Sequence, residues 1–393
     1  MFWGLFQVKQ PCFKFVAVPP SPPLLFSGCI LIKTWLSIET YSGIMRLRYG
    51  LLLLFFISVV PVSAYTYEMT WTYDNQGETI YNMSQKDLGL PVFAETQYQS
   101  VVMETSYDES VLLVLEDGFL KLVPINPVLV PIGHSHTIHA SYTINSQSRP
   151  VPSINVQTAE TIEHVPNELG IYTLPNALFP ADYPEIIGLA SELTAGEDAV
   201  LGKVSNLLDW FDSYSSYIVT EVPRPPQQTI RDPRGDCDDL SLLFITMCRS
   251  QGIPAYLQAG VVLSESIMID ETDWGGHYRY VFEGAGWHAW AMVYIPPWGW
   301  LPVDITKLGG MDPLETITEA YYWRGTTIVA WNISSHDYVL DETTQRDALI
   351  DAGVYWYQYD ALILEESEQT NPIYLIILGT ALLIGYFLYR YRS

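Results

Sequence analysis

Residues 235–254 read GDCDDLSLLFITMCRSQGIP, and the reading of this stretch decides the fold. Leu240, Leu243, Phe244, Met247 and Cys248 recur at helical spacing and form one apolar side. Asp236 suits the N-cap, Asp238 and Asp239 complement the positive end of the dipole, and Gly252 with Pro254 stops the helix. Cys237 therefore falls in the first turn, where unpaired amides and the dipole favour a thiolate. Cys248 lies mid-helix among apolar residues and reads as core. The rise between the two is about 16 Å, whereas a disulfide needs Cα atoms within roughly 7 Å. They cannot pair with each other.

A thiolate nucleophile needs a base within hydrogen-bond reach, and the base needs an orienting acceptor. Residues 286–306, GWHAWAMVYIPPWGWLPVDIT, read as two strands joined at Pro296-Pro297-Trp298-Gly299. His288 and Asp304 share a face if Asp304 lies opposite His288 or opposite Trp290. Either register lets the carboxylate hold the ring Nδ1–H.

Together, GDCDDLSLLFITMCRSQGIPAYLQAGVV and GWHAWAMVYIPPWGWLPVDIT resemble the transglutaminase-like superfamily. The resemblance runs from Pro184 to Thr306 and includes the preceding helices, which end in a Trp-Phe pair and Tyr217. It implies a papain-like α+β core with Cys237 as nucleophile, His288 as base and Asp304 as orienting carboxylate. No motif fixes the oxyanion donor that would act beside the Cys237 amide; Gln227, Gln228 or a tryptophan could serve. The calcium-ligand runs of animal transglutaminases are not seen, and neither a cofactor nor a metal is expected.

Outward from this core the texture changes. Residues 65–180 are strand-like, with runs such as Ser110–Glu116, Phe119–Pro124 and Thr137–Asn145 between Gly, Pro and Asn/Asp turns, and predict a β-sandwich-like N-terminal domain. Pro184 opens a helix with Ile186, Ile187, Leu189, Ala190 and Leu193 on one face. A second helix, about Asp198 to Ser213, buries Val200, Leu201, Val204, Leu207, Leu208 and Phe211. The predicted catalytic core spans 181–310 and a β-rich C-terminal region 311–370. The pattern does not say whether that last region forms its own sheet or extends another.

The ends set the expected compartment. Residues 45–64, MRLRYGLLLLFFISVVPVSA, have the basic start, short apolar run and small-residue exit of a secretory signal peptide. The residues before Met45 then reflect a start codon assigned too early. Residues 372–389 carry no charge and reach about 27 Å as a helix, followed by Arg390 and Arg392. A type I, single-pass topology in the cell membrane follows, anchored by that C-terminal helix and with the catalytic region outside. In 393 residues the net charge is −25, with 49% hydrophobic residues, so nucleic acid is excluded as a partner and so is a disordered chain. Asn82-Met83-Ser84 and Asn332-Ile333-Ser334 are glycosylation sequons.

Other signals are weaker. Arg234-Gly235-Asp236 abuts the nucleophile helix, which argues against adhesion. His134, His136 and His139 do not share one strand face, which argues against zinc. His277 reads as a loop residue, and Trp287, Trp290, Trp298 and Trp300 flank the expected cleft as core or groove lining. The expected function is a cell-surface thiol enzyme acting on amide bonds of a protein or peptide. A peptidase or amidase is favoured over a crosslinking transferase, since water is always available and no acceptor site is identifiable. The alternative is a catalytically silent cell-envelope binding or scaffold protein.

Overall fold

The computed structural model describes residues 63–106, 110–114, 120–124, 126–307 and 312–363. The expected transmembrane helix at 372–389 and nearly all of the expected signal peptide lie outside these residues. Ser63 and Ala64, at the expected cleavage site, open the first strand. Among the described residues no helix is long and apolar enough to cross a membrane.

The framework is a sheet of eight strands among the described residues: β1 (Ser63–Asn75), β2 (Gln99–Thr105), β3 (Ser135–Ser146), β4 (Ala255–Asp273), β5 (Tyr278–Ile295), β6 (Gly299–Val303), β7 (Thr327–Ile333) and β8 (Val354–Ile363). Their order is β7-β4-β5-β8-β1-β3-β2, with β6 pairing β5 beyond the end of the β8 ladder. Only β5–β8 runs parallel; β1 pairs antiparallel with both β8 and β3.

This order corrects the expected N-terminal β-sandwich-like domain. β1, β2 and β3 belong to the same sheet as the strands bearing His288 and Asp304. The physical reason is a non-local pairing: β1 pairs with β8, from the far end of the chain, over Thr66↔Ile363 to Asn75↔Val354. Aromatic packing secures the seam. Trp356 stacks on Tyr73 at 5.7 Å and on Tyr278 at 4.4 Å, and meets Trp71 edge-on at 6.0 Å. Large rings of this kind supply much of a core's buried area.

The region after 311 is not purely β. Tyr338–Ala352 forms a helix whose N-cap Asp337 accepts from the Leu340 amide and whose C-terminus turns at Gly353 in the left-handed region, φ 66°. Its polar residues lie all around, so it has no apolar stripe to read in the sequence. β8 then extends the common sheet, which decides the question the pattern left open.

The earlier helices follow their patterns. α1 is Pro184–Leu193 and α2 is Val200–Tyr214, the latter burying the six residues expected of it. In α1, Ile186 and Ala190 are buried while Ile187 is exposed. α3, Cys237–Ser250, packs against β5, α1, β4 and the short helix Pro226–Thr229, so every residue from Cys237 to Arg249 is buried. It is the central helix.

One buried acid ties three strands together. Asp360 Oδ2 on β8 accepts from Tyr67 Oη of β1 at 2.7 Å, from Gln358 Nε2 at 2.9 Å and from Trp287 Nε1 of β5 at 3.2 Å. Its Oδ1 has no partner, and burial pushes the carboxyl up to about 7. The folded state thus holds this proton over a pH range where the unfolded chain has lost it. Its contribution to stability is full below about pH 4 and is lost as pH rises towards 7. Asp360→Asn is expected to flatten this dependence. Melting curves at pH 5 and pH 8 should show the variant gaining stability relative to wild type as pH rises; a pH-independent difference would refute the assignment.

Candidate functional site

α3 packs against β5, the strand that carries His288. His288 pairs across the ladder with Gly260 of β4, and a Cβ there would lie 2.0 Å from the Ile328 carbonyl oxygen of β7. Only glycine lets the three strands close behind the histidine. In the β5–β6 ladder Ala291 faces Val303, a register that carries Asp304 past the last pair to the diagonal of His288. The His288 Nε2 to Asp304 Oδ2 distance is 3.0 Å, with both side chains nearly buried. Thr306 donates to Asp304 Oδ1 through its hydroxyl at 2.7 Å and its amide at 3.3 Å. The Val-Asp-x-Thr motif therefore fixes both carboxylate oxygens. The ring nitrogen that the carboxylate holds is Nε2, not the Nδ1 expected from the sequence.

Cys237 opens α3 behind Asp236, whose side chain caps the Asp239 amide. The backbone N–H of Ala289, the residue after His288, acts on the Cys237 sulfur in the sense that favours the thiolate. The expectation of a thiolate-prone cysteine is corrected: Cys237 is 0% exposed. Burial raises its pKa well above the ordinary thiol value, and the charges of Asp236 and Asp238 raise it further, with only the Ala289 amide opposing. Cys248 is buried on the same helix, and burial raises its thiol as well; both cysteines are free.

The acids around the thiol are themselves tied down. Asp239 accepts from the Arg224 amide at 2.6 Å and from its Nε at 3.2 Å, and burial with the Asp238 charge pushes Asp239 up to about 6. Thr220 Oγ1 donates to Asp236 and Asp239, and Tyr338 Oη to Asp238. Asp236, Asp238 and Asp239 are the one His/Cys/Asp/Glu group among the described residues spaced closely enough to hold a cation; each has protein partners, and no second feature there points to a metal. His134, His136 and His139 are not brought together in this way.

Sequence reasoning did not place Tyr217 beside Cys237. The pairing of Ser216–Tyr217 with Arg234–Gly235 sets this tyrosine beside the start of α3. Its buried hydroxyl lies next to the Cys237 sulfur without a well-formed hydrogen bond, and burial and then the thiol's charge keep the phenol protonated. The other donors considered are placed differently. Trp287, Trp290 and Trp298 donate their indole N–H groups to Asp360 and Tyr67, to Gln258 and to the Ser153 carbonyl. Gln228 is exposed, while Gln227 buries an unpartnered Oε1. The one available signal for Tyr217 was its place after the Trp-Phe pair.

Residues 187–305 match the Transglutaminase-like superfamily. The chain carries a transglutaminase-like domain. It is 28% identical over 145 residues to the uncharacterized protein YebA of Bacillus subtilis strain 168, a stretch of 35% of this chain but only 19% of YebA. Among solved structures it is similar to a candidate cysteine protease from Cytophaga hutchinsonii, at 16% identity and TM-score 0.46, over 77% of this chain and 89% of that one. It is also similar to the periplasmic domain of TgpA from Pseudomonas aeruginosa, at 15% identity and TM-score 0.28, over 65% and 93%.

In this transglutaminase-like domain the acids beside the thiol have a measurable effect. Asp238→Asn removes one negative charge that raises the Cys237 pKa and should lower it. The pH profile of iodoacetamide alkylation at Cys237, followed by mass spectrometry, should move to lower pH. An unmoved profile would show that burial alone sets the thiol.

Proposed function

We propose that the chain is a cell-surface thiol enzyme that acts on amide bonds of proteins or peptides, with Cys237, His288 and Asp304 in the roles of nucleophile, base and orienting carboxylate. The observation that carries this reading is the His288–Asp304 contact at 3.0 Å on the strand against which the helix opened by Cys237 packs. The secretory-type segment 45–64 and the uncharged segment 372–389 support the outward, membrane-anchored placement.

Cys237 gives its proton to His288, and the sulfur attacks the amide carbonyl carbon. The carbonyl electrons move to an oxyanion held by the first-turn Cys237 N–H, which has no intrahelical partner, and by the Tyr217 hydroxyl. Collapse breaks the C–N bond, and the amine leaves with the proton from His288, giving a thioester. Water then attacks with His288 as base and releases the acid and the thiol. Hydrolysis is favoured over transfer because water is always present.

The burial of Cys237 favours a second reading, a catalytically silent scaffold. The test uses the purified full chain and p-nitrophenyl acetate. Wild type should acquire one acetyl group at Cys237, and Cys237→Ala none. Tyr217→Phe should slow acetylation at least tenfold, the scale of a lost oxyanion donor, while iodoacetamide alkylation, which forms no oxyanion, changes less than about twofold. Alkylation of wild type without acetylation would favour the scaffold.

A further inference from the structure

Arg149 is a buried cation that meets no carboxylate among the described residues. Arg224, Arg231, Arg234, Arg279, Arg324 and Arg346 each meet a carboxylate. Arg149 is more buried than any of these, at 4% exposure, yet it has none. Its Nη1 donates to the carbonyls of Tyr322 at 2.6 Å and Thr327 at 3.4 Å, and its Nη2 has no partner. The guanidinium lies 4.4 Å from the Tyr322 ring centroid and 5.9 Å from that of Tyr98. Burial lowers its pKa, and Tyr322 and Tyr98 act in the opposite sense. An unpaired buried charge is costly, and a planar fork with a spare donor is suited to one oxygen of a carboxylate.

Arg149 lines a cavity of about 480 Å³ together with Tyr98, Tyr322, Gln258, Asn332 and Glu95. The amides do not compete for a ligand's charge: Gln258 Nε2 donates to Asn332 Oδ1 at 2.5 Å, and Gln258 Oε1 accepts from Trp290 Nε1 at 3.1 Å. Glu95 sits exposed, with its Oε1 taken by the Val101 amide. Trp290 lies between His288 and the cavity wall at Tyr322. Ring to ring, His288 lies 5.7 Å from Trp290, and Trp290 lies 6.3 Å from Tyr322, on which Arg149 rests. At about 3.3 Å per residue, five residues or fewer of extended peptide span that path.

We propose that Arg149 is the anchor of a substrate subsite that takes a peptide carboxylate, so that the enzyme selects acyl donors bearing an acid within about five residues of the reacting amide. Nη2 is closed to solvent, so binding requires the side chains around it to shift. The peptide class rests on the function proposed above; the guanidinium's requirement for an anion does not.

The test therefore avoids turnover. Calorimetry on the full chain carrying Cys237→Ala would use three acetylated Ala/Phe pentapeptides: one with Glu and an amidated end, one with Gln and a free C-terminal carboxylate, and one with Gln and an amidated end. The Glu or the free-acid peptide should bind at least tenfold tighter than the neutral one, which also says whether a side chain or a C-terminus is read. Arg149→Gln should erase the preference. If that variant loses its fold, Asn332→Asp, an isosteric change at the exposed rim, should weaken the preferred peptide selectively. Equal binding of all three peptides, or a preference that survives both variants, would overturn the subsite. A preference found in a chain that forms no acyl-enzyme would leave the subsite standing and remove the function.

Discussion

The long strand β5 is the constraint on which the rest of the molecule depends. Its C-terminal half pairs with β6 on one side, its N-terminal half pairs with β8 on that same side, and β4 runs along the other. One strand thereby fixes the His288–Asp304 diagonal and also draws in β8, with β1, β3 and β2 behind it. Trp287, next to His288, donates to Asp360 on β8 and to Tyr67 on β1. The candidate site and the attachment of the N-terminal strands therefore share neighbouring residues of one strand.

At Cys237 two electrostatic effects oppose each other, and their sizes decide between them. A helix N-terminus offers a thiolate about 0.3–1 kcal/mol, up to about 2 when partly buried. Complete burial can raise an acid by as much as 3–5 pKa units, about 4–7 kcal/mol, and here Asp236 and Asp238 act in the same direction. Burial wins in the resting state, so the thiol is protonated. A protonated thiol suits proton transfer at the moment of attack rather than a standing ion pair.

The acids near the thiol also organise the segment before it. Thr220 and Arg224 are fastened to Asp236 and Asp239, and Glu221 O accepts from Trp274 Nε1 at the tip of the β4–β5 hairpin. The same carboxylates that cap α3 thus hold residues 217–224 over its start, and with them the Tyr217 hydroxyl. The aspartates after Cys237 serve packing and positioning at some cost to thiolate stability.

The sequence by itself determined the local elements: the capped helix that opens at Cys237, α1 and α2, and the hairpin joining His288 to Asp304. Each rests on interactions within about twenty residues, where period, caps and turn residues act directly. It could not show that β1 joins β8, because that ladder links residues nearly three hundred positions apart through backbone groups that carry no residue code. Nor could it show the helix at Tyr338–Ala352, which has no apolar stripe, or the ring nitrogen that Asp304 holds, which the side-chain geometry sets. Dipole and motif suggested an exposed, activated thiol at Cys237; packing of α3 on every side buried it. Burial belongs to the whole fold, and only the tertiary structure could decide it.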